Sequence, residues 1–155
     1  MNTTGSDVDK SGFPDGRRHW MSVLAKAEPE ELLRAWEAIP AKPEFSPLRP
    51  VETGLVLVRG RMGGTGDAFN LGEMTVTRAA VRIASGEVGM SYVAGRDRRH
   101  AEIAAVVDAM MQSPRYHEEI KVEVVDTLDE ARRIRKDELA RKAAATKVDF
   151  FTMVR

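Results

Sequence analysis

The stretch Arg59 to Ile83, RGRMGGTGDAFNLGEMTVTRAAVRI, holds the residues best suited to chemistry. Gly63, Gly64 and Gly66 fall within four residues, with Thr65 among them. Glycine tolerates positive φ and lets a backbone come close to another group. Arg61 stands just before the run, and Arg78 and Arg82 follow it. A turn rich in backbone N–H groups beside guanidinium side chains suits an anion. The same glycines equally suit a hairpin connection that needs positive φ, and the spacing leaves both readings open. A second cluster is Arg96, Arg98, Arg99 and His100 at the start of a helix that Asp97 can cap. The helix dipole disfavours each cation there by roughly 0.3–1 kcal/mol, so an anion or an acidic partner surface would compensate them. Side chains extending into water explain the cluster as well.

Other chemistry is hard to find. GGTGDAF lacks the lysine and Ser/Thr of a phosphate-binding P-loop, and Phe69 stands where a GxGxxG pattern needs its last glycine. His19, His100 and His117 form no metal-binding pair, and with no cysteine there is no thiolate nucleophile or disulfide. Nothing singles out a Ser–His–Asp set. No metal site is expected.

These residues need a scaffold, and periodicity supplies one. Trp20, Val23, Leu24 and Ala27 mark one face of a first helix, and Leu32, Leu33, Trp36 and Ile39 mark a second that Pro29 can open. Pro40, Pro43, Pro47 and Pro50 punctuate an extended connector. Strands are expected near Thr53–Arg61, Gly72–Ile83 and Glu87–Ala94, with a tight turn at Ser85–Gly86. The unbroken apolar run Leu55–Val58 suggests a strand covered on both faces. Val88, Met90 and Tyr92 share a face of the third strand. Ile103, Val106, Val107, Met110 and Met111 predict an amphipathic helix. Alternation over Ile120, Val122 and Val124 predicts a fourth strand, and Thr127 with Glu130 a capping box for a final helix. From Asp129 to Lys142, ten of fourteen residues are charged, so that helix buries little alone. The fold class is therefore α+β: an antiparallel sheet of about four strands with helices, an N-terminal helical hairpin and a long charged C-terminal helix. Residues 1–14 form a disordered tail. One domain over 15–155 divides into the hairpin (15–39), the connector (40–50), the sheet with its helix (51–125), and the last helix with an apolar tail (126–155).

The 155 residues suffice for a core without covalent staples. Twenty-four basic residues balance twenty-four acidic ones, which argues against a general nucleic-acid binder. No run approaches the roughly 18 apolar residues of a membrane helix, and the N-terminus is no signal peptide. A cytoplasmic protein is expected. The apolar end, with Phe150, Phe151, Met153 and Val154, needs something to dock on, and Trp20 is a further interface candidate.

Several strings extend the reading beyond local chemistry. RRHWMSVLA at Arg17–Ala25, ETGLV at Glu52–Val56, RMGGTG at Arg61–Gly66 and TRAAVR at Thr77–Arg82 occur in fixed order with GRD at Gly95–Asp97, HAE at His100–Glu102 and VDFFTMVR at Val148–Arg155. Together they closely resemble the PhnG family, the G subunit of the bacterial carbon–phosphorus lyase system for phosphonate breakdown. The resemblance implies action with the H, I and L components, transferring the ribose 5-triphosphate of ATP to methylphosphonate and releasing adenine. The product is α-D-ribose 1-methylphosphonate 5-triphosphate. It also implies a core complex with the H, I and J components, the I type being the most direct partner and the one linked to nucleosidase chemistry. ATP is then a substrate of the complex, and no cofactor is expected on this chain alone. No catalytic residue is carried over.

Two roles follow. As a scaffold, the chain orders its partners and does no chemistry. As part of a shared site, the glycine turn with Arg61 or Arg96 touches triphosphate or phosphonate. A regulatory or nucleic-acid-binding module is a third class, disfavoured by the neutral charge.

Overall fold

Pro29 fixes φ at the first position of a helix and costs no hydrogen bond there. It opens α2 (Pro29–Ala38), which follows α1 (Asp15–Lys26) after a two-residue break in a computed structural model that describes residues 15–145. The expected tail at 1–14 and the apolar end at Phe150, Phe151, Met153 and Val154 lie outside the described residues. Both helices bury the stripes their periodicity marks: Val23 and Leu24 on α1, Leu32, Trp36 and Ile39 around α2.

Three strands form an antiparallel meander in the order β1 (Phe45–Arg61), β2 (Ala68–Ile83), β3 (Val88–Ala94). Gly86, at φ 108°, makes the β2–β3 turn, with its N–H on the Ile83 carbonyl. β1 begins at Phe45, eight residues before the expected start. Pro47 and Pro50 lie inside it, and the register shifts between Pro47 and Arg49 and again before Glu52. β1 is an edge strand, the position in a sheet where a residue without an N–H is tolerated.

One face of the sheet is covered by α3 (Arg98–Gln112), whose expected stripe from Ile103 to Met111 is buried. Ala101, Ala104, Ala105 and Ala109 are buried too, so the helix is enclosed on more than its predicted face. The strands opposite present Thr77, Ala79, Val81, Gly89, Ser91 and Val93. Small residues on both sides bring helix and sheet close: a Cβ on Gly89 would lie 1.9 Å from the Ala105 carbonyl oxygen. The face of β3 with Val88, Met90 and Tyr92 points the other way, and Tyr92 is exposed.

The α+β class and the antiparallel meander stand, but the expected fourth strand is helical. α4 (His117–Ile120), a π-helical segment (Lys121–Asp126) and α5 (Thr127–Ala145) run on without a break. Ile120, Val124 and Leu128 repeat every four residues and are buried, whereas Val122 is exposed. The helical period wins because no glycine or proline interrupts the stretch. The wider turn carries one extra residue, which lets Val125 face inward as well. Thr127 is therefore no N-cap; its hydroxyl donates to the Val122 carbonyl five residues back, and Glu130 pairs with Arg133.

Beyond the reach of β3 the sheet becomes a two-stranded arm. β3 ends where Ala94 meets Val76, but β1 and β2 continue together from Gly54 and Val76 to Arg61 and Ala68. The run Leu55–Val58 lies in this arm, and among the described residues it is exposed, contrary to the expectation that it is covered on both faces.

Candidate functional site

The arm is anchored firmly at its base. The buried Thr77 hydroxyl donates to the Gly95 carbonyl at 2.8 Å. Its single proton is thereby used, so Thr53 on β1 donates to Thr77 at 3.1 Å. On the opposite face both the Nε and a terminal nitrogen of Arg78 donate to one oxygen of Glu52, at 3.1 and 2.6 Å. The guanidinium holds the Glu52 carboxyl below its ordinary range.

From that base the paired strands extend about 25 Å, at roughly 3.3 Å per residue. Side chains alternate between faces. Leu55 and Leu57 lie on the side that continues the α3-covered face; Val56, Met74 and Phe69 lie on the other, with the Phe69 ring over Gly60. Leu71 is the extra residue of a bulge where Val58 pairs with Gly72 and Arg59 with Asn70. Exposure is high throughout: Leu55 and Leu57 63%, Leu71 66%, and Met62 in the turn 76%. Such a cluster on one projection exceeds the scattered apolar residues any surface shows.

The tip accounts for its glycines by backbone geometry. Gly63 and Gly64 have φ of 60° and 80°, the left-handed region. Gly66 has no room for a Cβ, which would lie 2.8 Å from the Met62 carbonyl oxygen. That oxygen accepts the N–H groups of Thr65 and Gly66, so those two donors are used inside the turn. Arg61 donates to the Gly66 carbonyl at 3.1 Å and closes the loop.

The second cluster separates residue by residue. His100 is buried; Asp97 caps its N–H, and its Nε2 donates to the Leu24 carbonyl at 2.7 Å, tying α3 to α1. That position takes His100 out of any anion site. Arg98 donates to the Val51 carbonyl, and Arg99 pairs with Glu102. Arg96 is exposed. The Gly95 N–H bonds the Thr75 carbonyl, which places Arg96 at the base of the arm. Arg61 and the glycines lie at the tip, seven residue steps along β2 or about 23 Å away. The two clusters do not form one site. Trp20 lies half-buried between α1 and the long helix, edge-on to His117.

One polar centre escaped the sequence reading. Asp108, fully buried in α3, accepts from Arg17 at 2.8 and 3.2 Å, from Trp20 Nε1 at 2.9 Å and from the Met90 N–H at 2.9 Å. Charged, it sat within an apolar helical stripe, and only that misfit signalled it. It organises the fold and opens onto no cleft.

A second projection is α5. Leu128 is its one buried residue; one terminal nitrogen of Arg135 donates to both carboxylate oxygens of Glu31 of α2 at 2.6 and 2.7 Å, and every residue from Lys136 to Ala145 is exposed. Among the described residues, no three of His, Asp and Glu converge as metal ligands, and no helix is long and apolar enough to cross a membrane.

The fold thus defines a small α+β domain whose polar side chains mostly fix its own structure, with two projections exposed among the described residues. Comparison with known proteins gives its family. Residues 15–155 match the model of the phosphonate metabolism protein PhnG. A relative from Rhizobium meliloti (strain 1021) is 49% identical over 142 residues, covering 90% of this chain and 88% of the relative. That relative is named the PhnG subunit of alpha-D-ribose 1-methylphosphonate 5-triphosphate synthase. The chain belongs to the PhnG family.

Proposed function

We propose that this chain is the PhnG-type subunit of an α-D-ribose 1-methylphosphonate 5-triphosphate synthase, and that its part is to organise the complex. The uncovered arm carries this reading: apolar side chains on both faces of a ribbon stitched rigidly at its base suit a neighbouring chain, not water. In the complex, H, I and L type partners transfer the ribose 5-triphosphate of ATP to methylphosphonate with release of adenine, a transferase reaction. The I type is the direct neighbour, and the J type joins the same core. The reaction takes place in the cytoplasm. ATP enters as a substrate of the complex, and the chain itself holds no cofactor.

A second reading rests on Arg96, an exposed cation beside the arm's base. There it would face the triphosphate or phosphonate of a site completed by a partner, with Arg61 and the Gly63–Gly66 turn contacting a different part. The two readings separate in one experiment. Adenine release from ATP and methylphosphonate is measured with the H, I and L type partners alone, with this chain added, and with an Arg61→Ala/Arg96→Ala chain added. The organising role predicts no release without the chain and full release with either form. Release that persists without the chain contradicts both readings. A double variant that assembles normally but releases no adenine supports the shared site instead.

A further inference from the structure

We propose that a partner chain encloses the β1–β2 arm on both faces, in a cleft with two apolar walls, instead of docking against one side of it. This rests on the reading of the chain as an organising subunit and adds the geometry of its contact.

The alternation of side chains is the first ground. Leu55 and Leu57 project from one face, and Val56, Met74 and Phe69 from the other. A ribbon pressed against a single surface would keep one of these sets in water. In sheets with one wet face, strands alternate apolar and polar residues; Leu55–Val58 does not alternate.

Area is the second ground. Two strands about 4.8 Å apart, with their side chains, make a face about 25 Å by 10 Å, on the order of 250 Å². A stable specific interface needs about 800 Å² from each partner, so one face of the arm falls well short. The face bearing Val56 and Met74 shares its side, across the Glu52–Arg78 pair, with the open side of the sheet, where Leu48, Arg78 and Tyr92 border a concavity of about 370 Å³. Three strands over the seven residues of β3 add about 300 Å². Among these three sheet surfaces, both arm faces with this open side reach about 800 Å², and no smaller combination of the three does.

These grounds select the occupant. A second copy meeting this one about a two-fold axis sets the same patch against itself. Two arms stacked in that way cover one face each and leave the other wet. A different chain with a cleft covers both. Its walls stand about 20 Å apart, each packed about 10 Å from the ribbon as in stacked sheets, and they are lined by aliphatic or aromatic side chains.

The test places charge on one face at a time in the full chain, co-expressed with the H, I and J type partners. Leu55→Glu/Leu57→Glu marks one face and Val56→Glu/Met74→Glu the other. All four side chains are exposed in the free chain, so unchanged thermal unfolding of each variant checks the fold. Enclosure predicts that each pair weakens assembly at least about tenfold, since each buries charge against an apolar wall. Loss confined to one pair overturns enclosure while leaving the organising role intact. Normal assembly with both pairs overturns enclosure and the arm's part in assembly together. If the isolated chain is a dimer that either pair dissociates, a second copy covers the arm and the proposal falls.

Discussion

The carboxylate of Asp108 in α3 accepts the backbone N–H of Met90 in β3 at 2.9 Å. That N–H belongs to the outer edge of the sheet, where no strand follows. Gln112 completes the cover by donating to the Val88 carbonyl at 2.8 Å. One sheet edge is thereby satisfied from within the chain, a common protection against unwanted pairing. The β1 edge has Pro47 and Pro50 near its start and neither a proline nor a lysine from Val51 to Arg61. The contrast agrees with the docking surface proposed on the β1 side.

Replacing Asp108 should therefore cost stability and leave assembly untouched where the fold survives. Asp108→Ala strips acceptors from Arg17, Trp20 and Met90 in a buried setting, a loss of about 3–5 kcal/mol. Trp20→Phe removes one of those bonds, at about 1.5–3 kcal/mol. Urea unfolding of both variants checks the ranking; equal losses would show that Asp108 does not act as the shared acceptor.

Two glycine substitutions within strands separate a closely packed position from an open one. Gly89→Ala forces a Cβ into the Ala105 carbonyl, a backbone atom that cannot swing away, and should cost about 3 kcal/mol or more. Gly54→Ala meets nothing within 4 Å and should be neutral or stabilising by about 0.4–1 kcal/mol. Thermal unfolding of the pair gives both values, and a well-folded Gly89→Ala chain would contradict the close helix–sheet contact.

Acid should weaken the fold in a definite direction. Hydrogen bonding to Arg78, Ser85 and Arg133 lowers Glu52, Glu87 and Glu130 respectively below the ordinary value of 4.5. A carboxyl whose folded value is depressed adds stability above its unfolded value, and that stability is lost as pH falls through the folded value. Stability should hold from neutral pH down to about 5 and decline below 4.5. Glu52→Gln should shrink the decline. Glu130 is exposed and Glu52 and Glu87 are half-buried at the surface, so each effect is small. A Glu52→Gln chain with an unchanged acid limb would contradict the Arg78 contribution.

Much of the fold was legible because local signals and tertiary packing agree there. Pro29, Asp97 and Gly86 each act where the sequence places them, and the α1, α2 and α3 stripes are buried. The strand expected at Ile120–Val124 failed because three alternating residues fit a two-residue period and a four-residue period alike; only Leu128, outside the window, breaks the tie. The run Leu55–Val58 failed for a different reason. Its composition says that both faces avoid water, and the covering atoms are absent from this chain's described residues. Of the candidate anion residues, His100 and Arg98 turned out to tie α3 to α1 and β1, contacts between distant elements that spacing cannot show. Asp108 showed only as a charge in an apolar stretch, because Arg17 and Met90, which it joins, lie 91 and 18 residues away.

If the arm exists to be covered by a neighbouring subunit, excising it removes the contact most directly. Because β3 ends at Ala94 opposite Val76, replacing Leu55–Thr75 with an Asn-Gly turn joins Gly54 to Val76 and leaves the α3-covered part of the sheet whole. The measurement is the affinity of the shortened chain for the I-type partner proposed above, beside its unfolding midpoint. Docking through the arm predicts an unfolding midpoint close to that of the full chain and a complex lost or weakened by at least about a hundredfold. A shortened chain that folds and still binds with full affinity would contradict it.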